Sequence, residues 1–346
     1  MSKVRVRGEQ LRKFIVRHLE SHPADIAKFA ADHFAVTRQA IGKHLNKLVA
    51  EEAISKAGNT RGRVYALRPR VTWRKTYLLA GSLSEGTVWS TDIVPQLRPM
   101  PDNVLDIWHY GFTEMFNNAI DHSAGTTISV AMEKNAVGAQ VAIYDDGVGI
   151  FRKIQAELSL ADERHAILEL AKGKLTTDPS RHSGEGIFFT SRVFDDFEIL
   201  SGGVFYSHRF ETKEDWILER EKPASDGTAV WMKLNNHTAR TLRKIFDQFT
   251  TGDEYGFTKT IVPVKLAQYG DDKLVSRSQA KRLLARIDRF KTVILDFKGV
   301  ESIGQSFADE IFRVFATGHP TIDLIPTHAN EDVQRMISRA NVARRL

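Results

Sequence analysis

The residues whose types and spacing could do chemistry lie in the middle third of the chain. Glu114, Asn118 and His122 stand four residues apart, so on a helix they share one face. Beside them Leu105, Trp108, Phe112, Met115, Phe116 and Ala119 make an apolar stripe. A carboxylate and an amide among aromatic side chains are costly to bury without partners. A magnesium–triphosphate would satisfy both. Mg²⁺ takes one or two protein oxygens and completes its shell with water and phosphate, so a single Asn suffices and the Glu is left as a general base. Further on, Asp145-Asp146-Gly147-Val148-Gly149 sets an acid at a strand end, followed by glycines that let backbone approach a flat ligand. An aspartate there can accept from the exocyclic amine that distinguishes adenine. Gly184-Glu185-Gly186 precedes a helix and offers backbone N–H groups to phosphates, and Asp226-Gly227-Thr228 leads a hydroxyl into a strand. Taken singly, each has a plainer account as a polar helix face or an ordinary glycine turn.

Taken in order, E-x-x-x-N-A, D-x-G-x-G, G-x-G and G-T resemble the boxes of the Bergerat-fold (GHKL) ATPases over roughly residues 100–235. That resemblance implies Glu114 as catalytic base, Asn118 as Mg²⁺ ligand and Asp145 as adenine anchor. It also implies Gly147 and Gly149 beneath the base, Gly184 and Gly186 as the phosphate hinge of a lid over 151–183, and Thr228 as a second adenine-side contact. "EMFNNAIDH" and "RHSGEGIFFTSRVFD" look most like the serine kinases of anti-anti-sigma factors. A histidine kinase would need a phosphoacceptor helix pair, and gyrase-type relatives a transducer domain; neither pattern is visible. Lys172 and Lys174 in the lid read as exposed lysines rather than phosphate ligands.

The elements that must position these residues fall into three segments of a multidomain chain. Residues 1–75 hold 17 Lys and Arg against 6 Asp and Glu, a surplus of 11, whereas the whole chain carries only +6. Leu11, Phe14, Ile15 and Leu19 mark one helix, "ADIAKFAADHFA" a second, and a third follows Thr37 as N-cap with Ile41, Leu45 and Leu48 inward. A strand–turn–strand closes the segment. This pattern resembles a winged helix (α+β), which implies double-stranded DNA as partner. Arg38, Gln39, Lys43, His44, Asn46 and Lys47 would be exposed on the groove helix, with Arg61 and Arg63 at the hairpin tip. A charged surface that docks protein is the alternative.

Residues 76–242 mix helices with antiparallel strands, as a Bergerat α/β sandwich requires. Residues 243–346 alternate strand and helix, and "VILDFKGVESIGQSFADEIF" resembles a STAS-like domain, the small α/β fold of anti-anti-sigma factors. The resemblance makes Ser306 a possible phosphoacceptor at a helix start, although Gly304 and Phe307 replace the usual Asp and Gly. Ser306 with Asp309 also reads as a capping box. No apolar run is long enough for a membrane span, the start lacks a signal-peptide stretch, and there is no cysteine, which fits a reducing cytoplasm. The expected protein is a cytoplasmic, homodimeric regulator that binds ATP, Mg²⁺ and DNA, with a STAS or sigma-factor-like protein as a further partner. The rival is a serine kinase acting on Ser306 or on a separate STAS protein.

Overall fold

The computed structural model describes residues 3–59, 62–79, 81, 83–175, 184–212, 214–219, 226–251, 256–268 and 273–345. Helices α1 (Lys3–His18), α2 (Ile26–Phe34) and α3 (Arg38–Ala50) pack together, followed by the antiparallel pair β1 (Ile54–Ala57) and β2 (Val64–Leu67). Thr37 caps α3, its Oγ1 accepting from Ala40 N at 3.2 Å. Leu11, Ile15, Leu19, Ile26, Ile41, Leu45 and Tyr65 form a core of their own.

The chain leaves this unit at Arg68–Arg70 and enters β3 (Val71–Leu78), so the boundary expected at residue 75 falls inside a strand. β3 pairs with β4 (Thr127–Lys134) along its whole length and therefore belongs to the middle unit. The remaining strands are β5 (Gly138–Asp145), β6 (Asp196–Ser201), β7 (Val204–Arg209), β8 (Glu214–Glu219) and β9 (Thr228–Asn235). They form one sheet in the order β3-β4-β5-β9-β6-β7-β8, with every neighbouring pair antiparallel. Inward residues such as Val130, Val141, Ile143, Phe197, Ile199 and Met232 alternate with outward, partly exposed ones.

The covering helices are α4 (Asp102–His122), α5 (Ile150–Glu157), α6 (Glu163–Lys172) and α7 (Gly186–Val193). α4 buries Ile107, Trp108, Phe112, Met115 and Phe116 at helical spacing. Gly111 lies on that stripe because Phe194 needs its space: a Cβ there would stand 2.2 Å from Phe194 Cε2.

The third unit has three parallel strands, β10 (Lys259–Pro263), β11 (Thr292–Asp296) and β12 (Asp323–Thr327). Its helices are α8 (Arg277–Leu284), α9 (Gln305–Asp309, continued in π-helical form over Glu310–Phe315) and α10 (Glu331–Arg345). The sequence suggests three domains, but the middle and C-terminal units share one hydrophobic core, running from Tyr77 to Ala340. Phenylalanines close the junction: ring centroids lie 4.4 Å apart for Phe189–Phe246, 4.7 Å for Phe188–Phe257 and 5.2 Å for Phe257–Phe290. The N-terminal unit instead meets the sheet through the ion pair Glu20–Lys233. Among the described residues no helix is long and apolar enough to cross a membrane.

Candidate functional site

A cavity of about 270 Å³ opens between α4 and the sheet. Glu114, Asn118 and His122 all reach it, as their spacing requires. Asp145, Gly184, Gly186 and Thr228 also line it, with Ile143, Ile154, Ile199 and Val230 among the apolar walls. Six of the proposed ligand residues, from four separate stretches of chain, thus meet in one place.

Asp145 and Thr228 face each other across β5 and β9. Asp145 Oδ1 accepts from Gly147 N at 3.0 Å and Thr228 N at 3.3 Å, and Thr228 Oγ1 accepts from Ile150 N at 3.0 Å. Burial pushes the Asp145 carboxyl up in pKa, and the neighbouring Asp146 charge adds to this. The two backbone N–H bonds pull the other way. Asp146 has the opposite environment. It accepts from Thr126 N and Thr127 N at 2.7 and 2.9 Å and from their hydroxyls at 2.6 and 2.9 Å, which holds it well below the usual carboxylate range. Asp146 clamps the start of β4; Asp145 faces the cavity.

The glycines divide in the same way. A Cβ on Gly186 would stand 2.0 Å from Glu114 Oε2, so the first turn of α7 lies against that carboxylate. Gly184 O accepts from Leu175 N at 3.0 Å, joining the two ends of the stretch 176–183. The lid expected over 151–183 is therefore described only up to 175, and its remainder lies outside the described residues. Gly147 and Gly149, expected beneath the base, are not part of the cavity wall. The space beside Gly147 is taken by Ser123 O, 2.0 Å from where its Cβ would be, and Val148 N donates to that same oxygen at 2.9 Å. The close approach there is of backbone to the chain's own helix end.

Lys153 was not singled out from the sequence. It lines the cavity and its Nζ donates to His122 O at 3.1 Å. Nothing local distinguishes it from Arg152, which is exposed and faces Asp226 and Glu163 at 3.6 and 3.7 Å. Lys172 and Lys174 point away from the cavity. Lys172, read as exposed, is buried against Glu169 and the end of α8, and Lys174 donates to Arg289 O. Packing of the third unit against α6 is the reason. Tyr110, beside this site, is raised by burial, with the Glu114 and Glu185 charges adding; burial likewise raises Glu185, offset by Lys174.

On the N-terminal unit Arg38, Gln39, Lys43, Asn46 and Lys47 are exposed along α3, and Lys47 pairs with Glu51 at 3.7 Å. Arg63 is exposed; Arg61 lies outside the described residues. His44, expected on the surface, is half-buried beside Gly8, and burial, with Arg12 and Lys47 nearby, lowers its pKa. In the third unit Ser306 is exposed, but α9 starts one residue earlier with Gly304 as N-cap and no side-chain cap bond. The expected Ser306–Asp309 capping box is absent because Asp309 is turned to Arg313, at 2.6 Å from Nη2.

Residues 279–334 match the family model of a STAS-like domain of unknown function (DUF4325), a span running from α8 into α10. The C-terminal unit is STAS-like. No curated protein matches the chain.

Proposed function

We propose that this protein is an ATP-binding, DNA-binding regulator, in which a Bergerat-type (GHKL) middle unit controls an N-terminal winged helix and works together with the STAS-like unit. The observation that carries the reading is the convergence of Glu114, Asn118, Asp145, Gly184, Gly186 and Thr228 on one cavity. Its apolar walls around a single buried carboxylate suit a flat purine whose amine donates to Asp145. Glu114, Asn118, Lys153 and the backbone at Gly184 and Gly186 suit phosphates. A volume of about 270 Å³ stands just below the roughly 300–1,000 Å³ typical of ligand pockets, consistent with a base and sugar enclosed and phosphates at the rim.

Among the described residues no group of three or more His, Asp or Glu is placed to hold a metal ion. Mg²⁺ is content with one or two protein oxygens, and Asn118, on the cavity wall, would supply one. When bound, the ion neutralises phosphate charge. Glu114 accepts the proton of the attacking water or hydroxyl at its carboxylate, and Lys153 offers a cation to the ligand. α3, with Arg38, Gln39, Lys43 and Lys47, and the hairpin with Arg61 and Arg63 supply the DNA-facing charge, in line with the surplus of 11 positive charges in residues 1–75. Homodimerisation, a cytoplasmic location and a STAS or sigma-factor-like partner belong to the same proposal.

Calorimetry of ATP with Mg²⁺ into the full chain, with GTP as control, tests it. Heat with ATP that is much reduced for GTP is expected, and no heat overturns the reading. A second reading, a serine kinase acting on Ser306 or on a separate STAS protein, draws on the exposure of Ser306 at the start of α9. Intact mass after incubation with Mg-ATP separates the two. One added phosphate, absent in Ser306→Ala and Glu114→Ala, supports cis or trans transfer to Ser306; free phosphate with unmodified protein supports a switch.

A further inference from the structure

Helix α6 has a different task on each side. Leu170, and Leu175 just beyond its end, line the cavity. Its other side is fastened to the STAS-like unit by buried groups. The Lys172 side chain is 1% exposed, and its ammonium has three protons for three acceptors: Glu169 Oε1 at 2.7 Å, Arg282 O at 3.0 Å and Ala285 O at 2.8 Å. The two carbonyls belong to the C-terminal end of α8, where a cation is also favoured by the helix dipole. Glu169, 5% exposed, turns Oε2 to Arg286 Nη1 at 3.5 Å. Thr260 Oγ1 in β10 donates to Lys172 O at 2.6 Å. Lys174 and Arg289 each donate to the other's carbonyl, at 3.1 and 2.8 Å, and Arg164 Nη2 donates to Gln268 O at 2.8 Å.

The second flank of the cavity is held from the same direction. Gly184, Gly186 and Ile187 line the cavity, and the next two residues, Phe188 and Phe189, meet Phe257 with centroids 4.7 and 4.9 Å apart. Phe257 in turn meets Phe290, just before β11. Both described flanks of the 176–183 stretch are therefore anchored on residues 257–290.

We infer that the STAS-like unit sets the ligand affinity of the middle cavity, with Lys172 as the link: a shift of α8 moves the α6 wall, and filling the cavity acts back on α8. The inference rests on the nucleotide reading of that cavity. The link is stiff because parting α6 from α8 would strip the buried Lys172 ammonium of two of its three acceptors and Glu169 of Arg286. α6 and α8 therefore move together more readily than they separate. By linkage the coupling is reciprocal, so a protein bound at α8 changes nucleotide affinity by the same factor that nucleotide changes that protein's affinity.

Hydrogen exchange on the full chain with saturating ATP and Mg²⁺ tests this, with calorimetry as the measure of binding. In the unmodified protein, exchange over 277–290 is expected to slow at least about fivefold, the lower end of typical couplings. The double substitution Glu169→Leu with Lys172→Met puts apolar groups of similar size in place of the pair. It is expected to keep its heat with ATP, at an altered Kd, and to lose the slowing over 277–290. Should that protein fail to fold, Arg286→Ala, whose side chain is 30% exposed, is expected to weaken ATP binding at least about fivefold. Normal heat and slowing in α4 and α7, with no change over 277–290, would overturn the link and leave the nucleotide reading intact. Full slowing retained in the double variant would likewise overturn it. Absence of heat in the unmodified protein would remove both.

Discussion

Asp145 and Asp146 are adjacent, yet folding treats their charges in opposite ways. Burial raises the Asp145 pKa in the fold, so its contribution to stability is present below the ordinary aspartate pKa and lost as pH rises through the raised value. Where it is ionised, its charge works against folding. Asp145→Asn retains an oxygen to accept from Gly147 and Thr228. It is expected to leave Tm unchanged or higher while abolishing the heat of ATP binding, a combination that marks a residue kept for its ligand. For Asp146 the sign reverses: four donors depress its pKa, so its stabilisation is present above the ordinary value of about 3.9 and lost as pH falls through the depressed one. Asp146→Ala is expected to lower Tm at pH 7, with the gap to the unmodified protein narrowing at pH 3. Thermal melts at the two pH values check it.

At the scale of elements, two glycines allow the same experiment on scaffold and site. Gly111→Ala in α4 places a Cβ 2.2 Å from Phe194 Cε2, inside the core. Overpacking of this kind costs about 1–3 kcal/mol, so denaturant unfolding should register that loss while the ATP Kd changes little. Gly186→Ala at the start of α7 places a Cβ 2.0 Å from Glu114 Oε2. Glu114 or the α7 backbone must move, and ATP affinity is expected to fall at least about tenfold, which is about 1.4 kcal/mol. Equal effects of the two substitutions on ATP binding would mean that the cavity is not the site. The edge strands teach a related lesson. In the edge strands Leu78 of β3 and Trp216 and Leu218 of β8 are apolar yet exposed, so residue type does not mark the buried side as it does in β4 and β5.

At the scale of the molecule, the partition of the core divides the chain in two rather than three. The N-terminal unit closes on its own core, so residues 1–70 alone are expected to give a cooperative melt by circular dichroism. A fragment 71–250 would expose Phe188, Phe189 and Phe249 together with Lys172 and Glu169, and it is expected to aggregate. For the N-terminal unit, duplex-DNA affinity should fall steeply with salt. Arg38→Ala or Lys43→Ala should each lower the slope of log K against log salt by about 1 where the side chain meets phosphate. Affinity indifferent to salt would favour a protein partner for this face.

Much of the molecule is dictated locally. The spacing of Glu114, Asn118 and His122 sets one helix face, Thr37 caps α3, and the alternation in β4 and β5 orients Asp145 and Ile143 inward, because these depend only on helical and strand periods within a few residues. Which groups fill the space around those faces is decided by chain that returns from far away. Asp145 meets Thr228 across a separation of 83 residues, and Lys172 meets Arg282 across 110. The gap at Gly147 was open to a ligand by residue type alone; Ser123 O occupies it. Lys172 was polar enough to be solvated by the same criterion; α8 buries it. Periodicity selects the side on which a residue faces, and only long-range packing determines whether solvent, ligand or protein stands there.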